Sequence, residues 1–432
     1  MRLTFYGGAQ EVGRAAMLLE EGQKNLLLEC GIKLGEKTEY PQIHDDEWGR
    51  IRNITISHAH LDHSGYLPHV YSKRARPRIF LTKPTRDLMG VLLADYHRIH
   101  RMKGERAIFS EKDVEGVMRD AKIVEYREPA EADFRITFHN AGHIMGSAMT
   151  MIEHDGGKLL FSGDICMRKT RVLDPCERGL QADALLVEST YGGREDAIPS
   201  YKESYQKMIS IINGTLDAGG HVIIPSFAVG RAQEVLLALD DYMRSGALRP
   251  AKIFIEGMIG KAMKIYRHNA IYANDDIKRR ILMSEDDPFK SLNFHHPRSK
   301  TREDVLREPS IIVTTSGMLT GGPVLFYLEK LGHDPKNTII FVGYQAEGTN
   351  GEKVIKGAKK ISVYDKEIEM NMRVESVKLS GHADFNELVQ FVKSVKGLKK
   401  VFLMHGEKTD LKETLEKDYE VVVPRLLETY SV

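Results

Sequence analysis

The chain has 432 residues, 42% hydrophobic and 28% charged, a composition that suits a globular protein with extensive cores and a prior of two or three domains. No apolar run approaches the ~18 residues of a membrane span, and the opening MRLTFYGGAQ lacks the apolar stretch of a secretory signal, so a cytoplasmic location is expected. A net charge of +1 excludes a globally basic nucleic-acid binder. Local basic runs remain: Lys73, Arg74, Arg76 and Arg78; Arg98, Arg101, Lys103 and Arg106; Lys278, Arg279 and Arg280. Each reads first as a solvated face. The odd, irregularly spaced Cys30, Cys166 and Cys176 argue against a disulfide framework or a cysteine zinc knot, and for buried thiols in a reducing compartment.

In chain order, residues 1–6, 15–20 and 24–29 are apolar and of strand length, with Glu21–Gly22 as a turn. Residues 51–57 form a further strand that ends in HAHLDHSG. A strand at 78–82 precedes a helix over 84–102, and Ser110 is placed to cap the next helix. Strands return at 134–138, 147–153, 158–162 and 182–189. From about 200 the rhythm changes to helix 200–218, strand 221–225, helix 230–244, strand 251–255, helices to 282, strand 310–314, helix 322–331 and strand 338–342. That alternation predicts a parallel sheet with crossover helices. A similar unit closes the chain: strand 373–379, helix 384–395, strand 399–404, helix 408–417 and strand 419–423. The final VVVPRLLETYSV suits either a subunit interface, as in a homodimer, or an edge strand.

The strongest chemical signal is HAHLDH: His58, His60, Asp62 and His63. Imidazoles and carboxylates are zinc ligands. Alternate residues of an extended segment share a face, so His58 and His60 can reach one ion, while Asp62 and His63, past the bend, can aim at a second. His143 in NAGHIMGSA, Asp164 in FSGDI, His382 in LSGHAD and His405 in FLMHGE all follow apolar strands. One histidine after a strand is usually structural; this many acidic and imidazole groups at strand ends is a constellation.

HAHLDH, GHIMGS and SGD resemble the metallo-β-lactamase superfamily, and EST at 188–190, GHAD at 381–384 and HGE at 405–407 resemble the added motifs of its β-CASP branch. IPSFAVGRAQE (224–234) and TTSGMLTGGP (314–323) also look like β-CASP sequence. Archaeal cleavage-and-polyadenylation-like ribonucleases, in a short form without KH domains, are most similar. The resemblance implies an α/β fold: a metallo-β-lactamase αββα sandwich (1–191 and 366–432) carrying an inserted doubly wound β-CASP domain (192–365), with the active site between them. It implies two Zn2+ per chain: His58, His60 and His143 on one, Asp62, His63 and His405 on the other, Asp164 bridging. It also implies that Glu29 in LLLECG orients a ligand without binding zinc; the family usually has Asp there.

By the same resemblance, Asp62 steers the attacking water, His382 is the general acid for the leaving 3′-oxygen, and Glu188 holds His382 in the required tautomer. Ser147, Arg231, Ser316, Ser380 and Gly381 are candidate substrate-binding residues. The expected activity is hydrolysis of single-stranded RNA, by endonucleolytic or 5′–3′ exonucleolytic cutting, in 3′-end processing or decay, within an RNA-processing complex. Small-molecule hydrolases of this fold lack the inserted domain. DNA-processing relatives typically carry Val at the position of His405. A non-catalytic scaffold would have lost ligands that this chain keeps. No cluster of aromatics stands out as a base-stacking platform.

Overall fold

The computed structural model describes residues 1–35, 37–102, 107–284, 286–363 and 366–432. Lys103 and Arg106 of the second basic run lie outside the described residues. The chain divides into two compact units: Met1–Lys169, Leu173–Ala197 and Gly381–Val432 form one; Thr170–Val172 and Ile198–Ser380 form the other.

Two sheets, each of seven strands among the described residues, build the first unit. One runs, edge to edge, Thr429–Ser431, Arg2–Gly7, Ala16–Glu21, Lys24–Leu28, Asn53–Thr55, Arg78–Leu81, Lys122–Ile123. The other runs Glu420–Val422, Lys400–Met404, Ala184–Glu188, Gly157–Phe161, Ala148–His154, Arg135–Asn140, Pro129–Glu131. Side chains alternate along each strand, so Leu3, Phe5, Leu19 and Leu28 of the first sheet meet Phe138, Ile152, Phe161, Leu186 and Phe402 of the second. The reverse face of the second sheet packs Leu185, Val187, Val401 and Leu403 against Leu388, Phe391 and Val392 of helix Phe385–Ser394. Leu18, Leu27, Ile54 and Ile79, on the opposite face of the first sheet, are also buried. The carboxy-terminal segment forms an edge strand, Thr429–Ser431, paired with Arg2–Thr4. Ser110 caps helix Glu111–Asp120 through a reciprocal box with Asp113.

The second unit carries a parallel sheet in the order Phe294–His295, Ile253–Glu256, Ile311–Thr314, Val222–Pro225, Thr338–Phe341, Arg373–Ser376. Its central strands are buried on both faces, as crossover helices require. Two features differ from the sequence expectation. A hairpin, Lys360–Val363 with Lys366–Glu369, intervenes before the last strand. Arg373–Ser376 then pairs with Thr338–Phe341, so this unit extends to Ser380 instead of closing at 365. An apolar strand does not announce which sheet it joins; only its partner does.

The basic runs are threaded with acids. Lys73 pairs with Asp45, Arg78 with Asp133, Arg98 with Asp95, Lys278 with Asp275 and Arg280 with Asp286. Such exposed pairs contribute little stability, and they dilute the positive field the runs suggest in isolation.

Candidate metal centre

All seven predicted metal ligands, with His382, Glu188 and Glu29, belong to the first unit. Strand Asn53–Thr55 leads into an extended segment carrying His58 and His60, and the four-residue helix Leu61–Ser64 then turns Asp62 and His63. This loop is pinned from behind: Cys30 and Ile32 donate backbone hydrogen bonds to the carbonyls of His63 and Leu61, both at 2.8 Å. Gly31 between them is required for space, because a Cβ there would sit 1.6 Å from the Asp62 carbonyl oxygen. His143, Asp164 and His405 arrive on loops that follow strands of the second sheet.

The donor atoms converge. His60 Nδ1 lies 3.2 Å from both His58 Nε2 and His143 Nε2. Asp164 Oδ2 stands 3.5 Å from His58 Nε2, 3.4 Å from His63 Nε2 and 3.7 Å from His143 Nε2. The His405 ring lies between two carboxylates, Nδ1 3.4 Å from Asp164 Oδ1 and Nε2 3.5 Å from Asp62 Oδ2. Among the described residues four overlapping groups capable of holding a cation result, three of which contain Asp164: His58–His60–His143–Asp164, His63–Asp164–His405 and Asp164–Glu188–His382. Asp62 groups with His58 and His63.

The rings of His143, His58 and His405 have partners on their far sides. His143 Nδ1 donates to the Gly381 carbonyl at 2.9 Å, which fixes the tautomer that leaves Nε2 a lone pair. Ser57 Oγ stands 2.9 Å from His58 Nδ1. Glu29 accepts the Ser57 amide at 2.8 Å through Oε1, and its Oε2 faces His63 Nδ1 at 3.4 Å. Both Glu29 Oε2 and His63 Nδ1 are buried without a hydrogen-bond partner, so the two face each other through charge alone. Thr190 Oγ1 donates to the His405 carbonyl at 3.1 Å and lies 3.3 Å from its Nδ1. Glu29 and His405 both end strands in the left-handed region, at φ 64° and 53°. Non-glycine residues there carry about 1 kcal/mol or more of strain, which the surrounding bonds must hold.

Burial lowers the basicity of His58 and His143 well below the usual imidazole range, so both present neutral nitrogen. Burial alone would raise Asp164, but the charges of His63, His405 and His382 outweigh it and keep the carboxylate ionised. Burial likewise opposes the rise of His63, yet Asp164 and Asp62 hold its proton on. A bound cation takes the place of such a proton. His63 Nε2, His405 Nε2 and Asp164 Oδ1 are buried without a hydrogen-bond partner. Orphaned donors of this kind, nitrogen and oxygen only, fit a metal. Nitrogens sharing one tetrahedral zinc stand roughly 3.3 Å apart, close to the spacing around His60.

His382 Nδ1 lies 3.0 Å from Glu188 Oε2 and 3.2 Å from Oε1. Glu188 is fully buried and also accepts the Ile165 amide at 2.7 Å, so one carboxylate positions both His382 and the loop carrying Asp164. Tyr191 presents its ring edgewise to His382 at 5.9 Å. Ser147 is buried and accepts the amides of His143 and Ile144 at 3.0 and 3.3 Å, which places it inside the ligand loop. The Gly381 carbonyl is engaged by His143, as above. Arg231, Ser316 and Ser380 belong to the second unit. Sequence reasoning gave no role to Ser57, which directly precedes His58, or to Thr190, which it quoted only as part of the EST motif.

Three family models match: a metallo-beta-lactamase superfamily domain over 18–189, a Beta-Casp domain over 232–354, and a Zn-dependent metallo-hydrolase RNA specificity domain over 367–424. The transcription termination factor FttA of Methanothermobacter thermautotrophicus is 37% identical over 455 residues, covering 100% of this chain and 72% of that one. An RNase J-like protein of Methanocaldococcus jannaschii is 37% identical over 411 residues, covering 94% of this chain and 92% of that one. Among solved structures, a protein of unknown function from Enterococcus faecalis shares the fold, with a TM-score of 0.62 at 12% identity over 99% of both chains.

Proposed function

The chain belongs to the β-CASP branch of the metallo-β-lactamase superfamily, and from that membership we propose that it cuts single-stranded RNA at a centre holding two zinc ions. It is a metal-dependent hydrolase of the ribonuclease kind. The ion count, ligand assignment and residue roles below are our reading. The observation that carries them is the convergence of His58, His60, His63, His143 and His405 on Asp164, with buried donor atoms left unpartnered.

His58, His60 and His143 would hold one ion, Asp62, His63 and His405 the other, and Asp164 both. Bound metal of this type acidifies water and neutralises charge on phosphoryl oxygens. Asp62, partly exposed, accepts a hydrogen bond from the attacking water and orients it toward phosphorus. His382, a partly exposed imidazole at 20%, delivers a proton from Nε2 to the leaving 3′-oxygen. For that it must carry protons on both nitrogens, and Glu188 facing Nδ1 favours the charged ring. The products are a 5′-phosphate and a 3′-hydroxyl.

The names of the relatives, a transcription termination factor and an RNase J-like protein, support a role in shaping RNA 3′ ends or in decay. The test is one single-stranded RNA labelled in turn at its 5′ and 3′ ends, with a DNA copy as control. Discrete internal fragments from RNA alone are expected, and 5′-terminal mononucleotides would add an exonucleolytic mode. No cutting of either strand by zinc-loaded protein would sink the reading.

A further inference from the structure

Among the described residues, the large hydrophobic side chains that are exposed include two aromatics, Phe227 at 37% and Tyr344 at 55%. They are 117 positions apart in sequence, yet they lie at one place in the second unit. Val222–Pro225 and Thr338–Phe341 are adjacent parallel strands, registered Val222 to Thr338 and Ile223 to Ile339. Phe227 follows the carboxyl end of the first and Tyr344 that of the second.

The fold makes this a particular place. After Val222–Pro225 the chain crosses to Ile253–Glu256 on one side of the sheet; after Thr338–Phe341 it goes on to Arg373–Ser376 on the other. Connections that diverge from neighbouring strands open a crevice at their carboxyl ends, where open α/β sheets bind ligands.

The Phe227 ring is seated on backbone. A Cβ on Gly343 would lie 3.3 Å from Phe227 Cε2, and one on Gly317 would lie 3.1 Å from the Phe227 nitrogen and 3.6 Å from Cδ2. Neither glycine has a positive φ, so clearance beside the ring, not backbone freedom, explains both. The Gln345 side-chain amide ties the Tyr344 loop to the loop after Ile311–Thr314, reaching the Gly317 carbonyl at 2.9 Å besides those of Tyr344 at 3.0 Å and Gly343 at 3.3 Å. Arg231 opens helix Arg231–Arg244 four positions after Phe227 and brings a permanent positive charge to the same strand end. An exposed ring on a glycine-cleared base, with a second exposed ring and a cation at the ends of the same neighbouring strands, suits nucleobases on a phosphate backbone.

We propose that Phe227 and Tyr344 form a base-stacking platform for single-stranded RNA at the switch point of this sheet. The proposal rests on the RNA-hydrolase reading and adds to it a subsite that reads base faces. A platform of this kind is sequence-tolerant, because every base offers a π-face.

The test measures binding of two fluorescein-labelled 12-mers by anisotropy. One is oligouridylate; the other has the same backbone with abasic residues. The full-length chain carries His382→Ala so that the RNA stays intact. Phe227→Ala and Tyr344→Ala are each expected to weaken oligouridylate binding about 5- to 100-fold and to leave abasic binding unchanged. Phe227→Trp should restore it. Tyr344, the more exposed ring, keeps the test decisive if Phe227→Ala folds poorly. Wild-type affinity in both alanine variants would overturn the platform, as would equal loss on both probes. A parent protein that binds neither oligomer would instead overturn the RNA reading, and the platform with it.

Discussion

The two units place their chemistry in the same kind of position, the loops after apolar strands, but furnish it in opposite ways. In the first unit the loops carry imidazoles and carboxylates whose far sides face Ser57, Glu29, Gly381, Thr190 and Glu188. In the second, the loops after Val222–Pro225 and Thr338–Phe341 carry exposed rings, Phe227 seated on glycine. A cation centre needs desolvated charge held at fixed separations, so its supports are polar and many. A surface for bases needs a flat apolar face left open, so its support is backbone. The first arrangement depends on what it binds; the second does not.

Metal removal should break that comparison most visibly. Chelation is expected to abolish RNA cutting and to lower the thermal midpoint of the first unit, since a cation at a hundredfold excess over its Kd contributes about 2.7 kcal/mol. Amide exchange should rise in strands Asn53–Thr55 and Lys400–Met404 and stay constant in Val222–Pro225 and Thr338–Phe341. Uniform loosening of both units would mean that the ligand cluster is not the source of the difference.

Next in size is His382→Ala. It should slow single-turnover cleavage about 10²- to 10⁴-fold, the range for loss of a general acid, while metal content stays full. Cutting at the wild-type rate would remove His382 from the mechanism. Glu188→Gln should slow cleavage as well, because the neutral amide no longer favours the charged ring.

Smaller effects probe the supports. Glu29→Gln leaves the Ser57 amide an acceptor but removes the charge facing His63, and should weaken metal binding about 10- to 100-fold. Measured by competition with a chelating dye, an unchanged affinity would show that the carboxylate is dispensable. Thr190→Val removes the hydroxyl between the carbonyl and ring of His405 and should cost roughly tenfold in affinity, with Thr190→Ser restoring it.

The legibility of the two regions differs for the same physical reason. Strand–helix alternation and HAHLDH are local patterns, so the parallel sheet and the ligand candidates could be read from neighbouring residues, whereas the paired sheets followed only from the family resemblance. His143, Asp164 and His405 were visible as polar groups after apolar runs. Pairings between remote segments were not. Nothing near Arg373 shows that its strand joins Thr338–Phe341, and nothing near Phe227 points to Tyr344. The left-handed backbone of Glu29 and His405 is equally silent, because neither is glycine. Thr190 and Ser57 were hidden differently: a hydroxyl beside a ligand is too common to stand out until its distance is known.

The central claim is that one set of side chains, sharing Asp164, holds two ions. The most direct measurement is zinc per chain, by elemental analysis after exhaustive dialysis, for the wild type and for Asp164→Ala. The account predicts two for the wild type and loss of both in the variant. One zinc in the wild type, or two retained without Asp164, would contradict it.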